Sequence, residues 1–229
     1  QRFSRITQIN KTNVETLEMA WQVQTGVQAT FQSTPIVHDG IMFVSLPFNN
    51  VLALDAKTGN EIWRYEHDLN PNWKLCCGPS NRGVALQGKQ LFFGTVDARL
   101  ISLNIKTGEK IWDINVVKNN VETESISDLD ESDANSDKQI SGGTGVGISM
   151  APVVYNGKVI IGITGVGYGL HVEEEGANTP LGAVVGVSGK YGRSGFLAAY
   201  DIHSGQQIWQ FNTILETGWE GNFNNFIED

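Results

Sequence analysis

Short apolar runs alternate with polar residues along much of this 229-residue chain, and turn-forming residues separate the runs. Short apolar runs bounded by turn residues are typical of strands, and Asp-Gly or Asn-Gly between two such runs indicates a tight hairpin. Asp39-Gly40 and Asn156-Gly157 occupy this position, and Gly88 marks a third turn. The pattern predicts an all-β chain with hairpins over residues 35–44, 84–94 and 152–162.

A nine-residue pattern, Asp/Asn-x-x-Thr/Ser-Gly-x-x-Ile-Trp, occurs at 55–63, 104–112 and 201–209, and a weaker copy ends at Trp21. An Asp or Asn at the start of a turn can accept hydrogen bonds from the backbone that follows it, and Gly supplies the positive φ that closes the turn. The pattern therefore predicts an apolar strand, a turn, and an outer strand that begins with Ile-Trp. We expect each Trp to wedge between neighbouring sheets.

The spacing of this repeat indicates a β-propeller. Trp63 and Trp112 are 49 residues apart, and Trp209 follows after 97 residues, which is close to two periods. A period near fifty residues with about four strands per unit is typical of propeller blades. We predict one partial propeller domain over residues 1–229, with units that end near 63, 112 and 209. Two insertions would explain the doubled interval: an acidic, Ser-rich one at 119–141 and a second one at 169–192.

Three blades and one N-terminal strand cannot close a ring, and an uncovered blade face is an exposed apolar sheet. We therefore expect the remaining propeller blades to come from the same protein or from another chain. The chain opens with Gln1 rather than Met, so we expect a processed chain or a fragment.

The composition narrows the range of partners. The formal net charge is -9 at pH 7, which argues against binding to nucleic acid or to an anionic membrane surface. No stretch approaches the ~18 consecutive apolar residues of a membrane-spanning helix.

The only two cysteines, Cys76 and Cys77, are adjacent, and Asn81-Arg82-Gly83 follows them. A disulfide between neighbours closes almost no loop, so it removes little entropy from the unfolded chain and stabilises the fold poorly. We favour a disulfide whose surface serves binding, formed in an oxidising compartment, over a pair of reduced thiols.

At these residues the chain resembles the quinoprotein alcohol dehydrogenases. The specific element is Cys-Cys-x-x-x-Asn-Arg-Gly at 76–83, and residues 3–21 also look like the opening of those enzymes. The resemblance implies an eight-bladed propeller in the periplasm that binds pyrroloquinoline quinone (PQQ) and a calcium or lanthanide ion. It also implies that a small-molecule alcohol, sugar or aldehyde is oxidised by hydride transfer to the quinone, with cytochrome c or a membrane quinone as electron acceptor.

The resemblance further assigns roles to individual residues. A Cys76–Cys77 disulfide would pack on one face of the quinone, and Arg82 would contact the quinone oxygens as a permanently charged, planar donor. Ser149 and Thr164 would donate hydrogen bonds from their hydroxyl groups to the cofactor carboxylates, and Gln32 would donate from its amide. Gly165 and Val166 would let the backbone approach the cofactor closely.

One position departs from the resemblance. Gly167 stands where the methanol-oxidising branch has a glutamate that ligates the metal, and glycine offers no side-chain oxygen. The glutamates at 173–175 are the alternative source of a ligand, so the metal site stays open. The catalytic aspartate of these enzymes belongs to later blades, so we name no catalytic residue here and expect this segment alone to be inactive.

Two other interpretations stay open. A non-catalytic propeller scaffold for protein binding or envelope assembly would carry the same Trp repeat, and Gly167 favours it. One half of a split quinoprotein, completed by another chain, is the second interpretation.

Overall fold

The computed structural model describes residues 6–69, 78–117, 139–173 and 195–213. In these parts of the chain the secondary structure consists of strands and two short 3-10 turns, Val14–Thr16 and Pro47–Asn49. No helix in the described part is long and apolar enough to cross a membrane.

Twelve of the described strands form three four-stranded antiparallel meanders, each in chain order. Sheet 1 contains β1 (Ile36–His38), β2 (Ile41–Ser45), β3 (Val51–Asp55) and β4 (Glu61–Tyr65). Sheet 2 contains β5 (Ala85–Gln87), β6 (Gln90–Gly94), β7 (Arg99–Asn104) and β8 (Lys110–Asn115). Sheet 3 contains β10 (Val153–Tyr155), β11 (Lys158–Glu173), β12 (Phe196–Asp201) and β13 (Gln207–Asn212). This arrangement confirms the all-β prediction and the expectation of about three blades.

One further strand, β9 (Gln139–Gly147), pairs with the distal half of β11, from Thr164 opposite Gly147 to Glu173 opposite Gln139. The predicted second insertion therefore begins inside a strand. Residues 118–138 and 174–194, which hold most of both predicted insertions, lie outside the described residues.

The predicted hairpins are present. In the first, Ile36 pairs with Phe43 and His38 pairs with Ile41, so that Asp39 and Gly40 form the two-residue turn. Asp39 has φ 48 and Gly40 has φ 75, the positive values that a tight turn of this kind requires. Asn156 and Gly157 form the corresponding turn of sheet 3.

The turn between the third and fourth strands of each sheet follows the repeated Asp or Asn. The Asp55 carboxylate accepts the N–H groups of Lys57 and Thr58 at 2.9 and 2.8 Å. The Asp201 carboxylate does the same for His203 and Ser204. These hydrogen bonds lower the pKa of both carboxyls below the usual value. The largest contributions come from the backbone N–H groups of Thr58 and Ser204.

Two tryptophans of the repeat, Trp63 and Trp112, each dock onto a turn of the next sheet. The indole N–H of Trp63 donates to the carbonyl of Ile105 at 3.0 Å, and that of Trp112 donates to the carbonyl of Ile202 at 3.0 Å. The ring of Trp63 covers Gly108, where an added Cβ would lie 2.7 Å from the ring carbons Cδ2 and Cε3. The repeat thus joins neighbouring sheets through one hydrogen bond and one close ring contact.

The weaker N-terminal copy docks in the same way. The indole N–H of Trp21 donates to the carbonyl of Ala56 at 3.2 Å, and the Trp21 ring covers Gly59. Trp21 also packs with neighbouring N-terminal residues on the outer face of sheet 1, against Leu52 and Leu54. The N-terminal segment therefore occupies the position that a preceding blade would take.

Alternate residues of the central strands build the two main cores. On β7, Ile101 and Leu103 face sheet 1 together with Phe93, whereas Leu100 faces sheet 3 together with Phe92. All five side chains are completely buried. Sheet 2 is consequently apolar on both faces, as expected of a blade with a neighbour on each side.

Candidate functional site

The candidate site lies at the end of the sheets where β1, β5 and β10 begin. Because the strands are antiparallel, the β2–β3 loop, the β6–β7 loop and the segments that enter β5 and β10 all lie at this end. Backbone hydrogen bonds join them: Phe48 N–H to the Pro79 carbonyl at 2.9 Å and Ile148 N–H to the Thr95 carbonyl at 2.8 Å. This end is therefore one connected surface formed from all three sheets.

Arg82 lies on this surface and contacts Ser149 twice. Its guanidinium Nη1 donates to Ser149 Oγ at 2.7 Å, and its backbone N–H donates to the Ser149 carbonyl at 3.0 Å. The structure thus brings together two residues that the sequence assigned to the site from 67 positions apart. The assigned roles of both residues stay predictions.

Arg82 is exposed, and no carboxylate lies within ion-pair distance of it in the part of the chain that the structure describes. Ser149 accepts one hydrogen bond from Arg82, so its own hydroxyl proton stays available for a further acceptor. Together the two side chains offer a hydroxyl donor and a cation that no described carboxylate neutralises, on one surface. That donor set fits a flat anion with carbonyl and carboxylate oxygens, such as a quinone with acidic substituents.

Gly83 allows the three sheets to approach closely at this point. It has φ 141, and an added Cβ would lie 3.3 Å from the Ala151 Cβ and 3.7 Å from the Thr34 carbonyl oxygen. Thr34 precedes β1 and Ala151 precedes β10, so the entries of the first strands of all three sheets meet here. Gln32 lies two residues before Thr34 and is exposed.

The other predicted residues divide into two groups. Thr164 is half-buried and starts the pairing of β11 with β9; Gly165, Val166 and Gly167 continue β11, and the structure describes only their backbone. Cys76 and Cys77 lie outside the described residues, so their pairing stays a prediction. Among the side chains that the structure describes, no group of three or more His, Cys, Asp or Glu could hold a metal ion.

A buried His67–Asp97 pair at the same end was missed by the sequence analysis. His67 Nε2 lies 3.0 and 2.9 Å from the two Asp97 carboxylate oxygens, with side chains only 6% and 16% exposed. Burial acts to raise the pKa of Asp97, but hydrogen bonds from His67 and Thr95 outweigh it and leave the pKa below its usual value. The pair links the end of β4 in sheet 1 to the β6–β7 loop of sheet 2.

No sequence signal could have revealed this pair, because its members are 30 residues apart and belong to different sheets.

Asn81 is a different case. It stands in the motif that the sequence analysis singled out, but only its burial and its hydrogen bonds reveal a role.

Comparison with known proteins agrees with this architecture. Residues 1–225 match the PQQ family model described as glucose/ethanol/alcohol dehydrogenase, beta-propeller domain. The chain belongs to this family. Its resemblance to quinoprotein alcohol dehydrogenases is therefore confirmed.

Two named relatives show how much of the chain the similarity covers. The chain is 32% identical over 216 residues to the quinohemoprotein alcohol dehydrogenase ADH IIB of Pseudomonas putida, and the match covers 93% of this chain and 25% of that protein. It is 31% identical to the quinoprotein alcohol dehydrogenase PedH of Pseudomonas putida, covering 93% of this chain and 29% of that protein. The chain thus spans about a quarter of the length of the curated relatives that it matches.

Solved structures of the family superpose on the chain. The quinohemoprotein alcohol dehydrogenase of Comamonas testosteroni gives a TM-score of 0.68 at 31% identity, covering 92% of this chain and 25% of that one. A europium-containing methanol dehydrogenase gives a TM-score of 0.63 at 26% identity, covering 91% of this chain and 29% of that one. The three sheets described above are therefore propeller blades of this family.

Proposed function

We propose that this chain forms part of the cofactor-binding surface of a periplasmic, PQQ-dependent dehydrogenase that oxidises an alcohol, sugar or aldehyde. The observation that carries the proposal is Arg82: an exposed guanidinium that has no carboxylate partner among the described residues and that contacts Ser149 where three blades meet. Family membership and the names of the relatives support the dehydrogenase chemistry.

When bound, the quinone would supply the two-electron oxidation chemistry, accepting hydride from the substrate carbinol. Arg82 would donate its remaining N–H groups to the quinone oxygens, where negative charge develops during reduction. Ser149 and Thr164 would donate hydrogen bonds from their hydroxyl groups to the cofactor carboxylates, and Gln32 would donate one from its amide N–H without adding repulsive charge. At Gly165 and Val166 the backbone itself would approach the cofactor closely. The paired sulfurs of Cys76 and Cys77 would pack against one face of the quinone ring.

The proposal includes a calcium or lanthanide ion only as an ion that is bound together with the cofactor. The structural neighbour that contains europium supports a metal ion in this family. Gly167 offers no side-chain ligand, so any ligands would come from other residues. For this reason we assign no metal ligand in this chain.

The outer face of sheet 3 supports the proposal that further blades complete the propeller. Trp209 and Phe211 on β13 are 40% and 57% exposed, and Leu197 on β12 is 42% exposed. On sheet 1 the equivalent tryptophan, Trp63, is 8% exposed because sheet 2 covers it. A following blade, from the same protein or another chain, would cover the face of sheet 3 in the same way.

The relatives that are named quinohemoproteins support a redox partner. We propose cytochrome c or a membrane quinone as the acceptor of the electrons.

The test measures PQQ binding and alcohol-dependent dye reduction in the full-length protein, with Arg82→Ala and a matched charge-removing control, Arg64→Ala. Arg64 pairs with Glu61 at the edge of sheet 1, away from Ser149. We expect Arg82→Ala to lower kcat by on the order of a hundredfold, because it removes a charged donor at the reacting oxygens, and Arg64→Ala to change kcat little. A Cys76→Ser/Cys77→Ser variant should weaken PQQ binding as well.

Two results would count against the proposal. A full-length protein that binds no PQQ would favour the scaffold interpretation. A protein that binds PQQ equally well with and without Arg82 and the cysteine pair would remove this surface from the cofactor site.

A further inference from the structure

Asn81 forms the centre of a hydrogen-bond network that joins all three blades. Its side-chain Nδ2 donates to the Gly94 carbonyl at the end of β6, at 2.8 Å, and its Oδ1 accepts the Gly83 N–H at 2.9 Å. Its backbone carbonyl accepts a hydrogen bond from Ser45 Oγ at the end of β2, at 3.4 Å. Asn81 is only 1% exposed.

The next residue completes the connection to the third blade. Arg82 donates its backbone N–H to the Ser149 carbonyl and its Nη1 to Ser149 Oγ. Residues 81 and 82 therefore contact sheet 1 through Ser45, sheet 2 through Gly94 and the entry of sheet 3 through Ser149. The orientation of the Arg82 guanidinium depends on where this backbone turn is fixed.

Gly83 cannot help to fix the turn by side-chain packing, because it has no side chain, and an added Cβ would be crowded by Ala151 at 3.3 Å. The Asn81 side-chain amide fixes the turn instead. Its Oδ1 accepts the Gly83 N–H, and its Nδ2 donates to the Gly94 carbonyl of sheet 2. A shorter side chain at 81 would leave a buried carbonyl and a buried N–H without partners, and the turn would be free to shift.

We propose that Asn81 is a positioning residue that acts through Arg82, setting the direction of the guanidinium toward the bound quinone. The role rests on the proposed function, since it deepens the assignment of Arg82 as a cofactor contact. Asn81 itself is buried and would not touch the cofactor.

The first test is a double-mutant cycle on PQQ binding in the full-length protein. We expect Asn81→Ala to raise the Kd for PQQ by about tenfold, and to have no further effect when Arg82 is already alanine, because the effect passes through Arg82. A merely structural role would give the same fold-change in both backgrounds, and that result would overturn the proposal.

Asn49 provides the matched control. It is completely buried at the same end of the sheets, and its Oδ1 accepts the Val96 N–H at 3.2 Å, but it has no contact with Arg82. Asn49→Ala should lower the melting temperature and leave the Kd for PQQ unchanged. An equal rise in Kd from Asn49→Ala would show that any buried asparagine at this end matters, which would also overturn the proposal.

The second test does not depend on the quinone. A crystal structure of Asn81→Ala without PQQ should show the contact between Arg82 Nη1 and Ser149 Oγ, now 2.7 Å, broken or replaced by several Arg82 conformers. An unchanged contact would overturn the proposal. If Asn81→Ala does not fold, Asn81→Asp replaces it in both tests, because the carboxylate still accepts the Gly83 N–H but cannot donate to the Gly94 carbonyl.

The two tests separate the two ideas. If the wild-type protein binds no PQQ, the proposed function fails, and the crystal structure alone decides whether Asn81 positions Arg82.

Discussion

Gly108, which lies beneath the ring of Trp63, allows the docking between neighbouring blades to be tested with one methyl group. It has φ +73, and an added Cβ would lie 2.7 Å from two carbons of the Trp63 ring. Gly40 has nearly the same backbone conformation, φ +75, but nothing lies within 4 Å of the position of its Cβ. The pair Gly108→Ala and Gly40→Ala therefore separates the cost of the ring clash from the cost of the backbone conformation.

The expected magnitudes follow from these distances. A left-handed conformation costs alanine about 1 kcal/mol relative to glycine, so Gly40→Ala should destabilise by that amount. In Gly108→Ala the ring must also move, and overpacking of this kind adds about 1–3 kcal/mol. Gly205, beneath Trp112, should give an intermediate result, because its added Cβ would lie 3.2 Å from the nearest ring carbon.

The assay is denaturant unfolding followed by tryptophan fluorescence, with the midpoints compared at equal slope. We expect the midpoint to fall in the order Gly40→Ala, Gly205→Ala, Gly108→Ala, with the last change the largest. Equal shifts for Gly108→Ala and Gly40→Ala would refute the idea that the Trp63 ring and this glycine form a tight contact between blades.

Further predictions concern the buried hydroxyl of Tyr200, the pair of Asp97 and His67, and the outer face of sheet 3. Tyr200→Phe should stabilise the protein by about 1 kcal/mol, because the buried Tyr200 hydroxyl has no hydrogen-bond partner among the described residues, whereas Tyr155→Phe, at an exposed position, should be neutral in the same denaturant unfolding assay. Burial also raises the pKa of Tyr200 from 10.0 to about 12, so stability should be present below pH 10 and decline between pH 10 and 12, a decline that Tyr200→Phe should reduce. Asp97 has a lowered pKa, so its pairing with His67 should stabilise the fold above pH 3.8 and be lost as the pH falls through that lowered value. Asp97→Asn should then show a smaller loss of melting temperature on acidification; an unchanged acid limb would contradict this account. In the full-length protein, acrylamide should quench Trp209 weakly if a following blade covers it, and a Trp209→Phe variant identifies its signal; strong quenching would argue against that blade.

The sequence predicted the parts of the fold that depend on short-range chemistry. The Asp55 and Asp201 turns need only an acceptor side chain and a glycine a few residues later, so their positions follow from the pattern. The docking of Trp63 and Trp112 could be expected because the repeat places the same ring and the same glycine in every unit. Arg82 and Ser149 were assigned by resemblance, since the chemistry of an arginine or a serine does not by itself indicate a role in cofactor binding.

What only the tertiary structure decided is how these residues meet. The contact between Arg82 and Ser149, the burial of His67 against Asp97 and the network around Asn81 all join side chains from different sheets. Such contacts depend on the distance and rotation between packed blades, which the hydrophobic periodicity of single strands does not encode. The repeated sequence therefore determined what each blade is and how it docks on the next, and the packing of the blades decided which polar groups face one another at their common end.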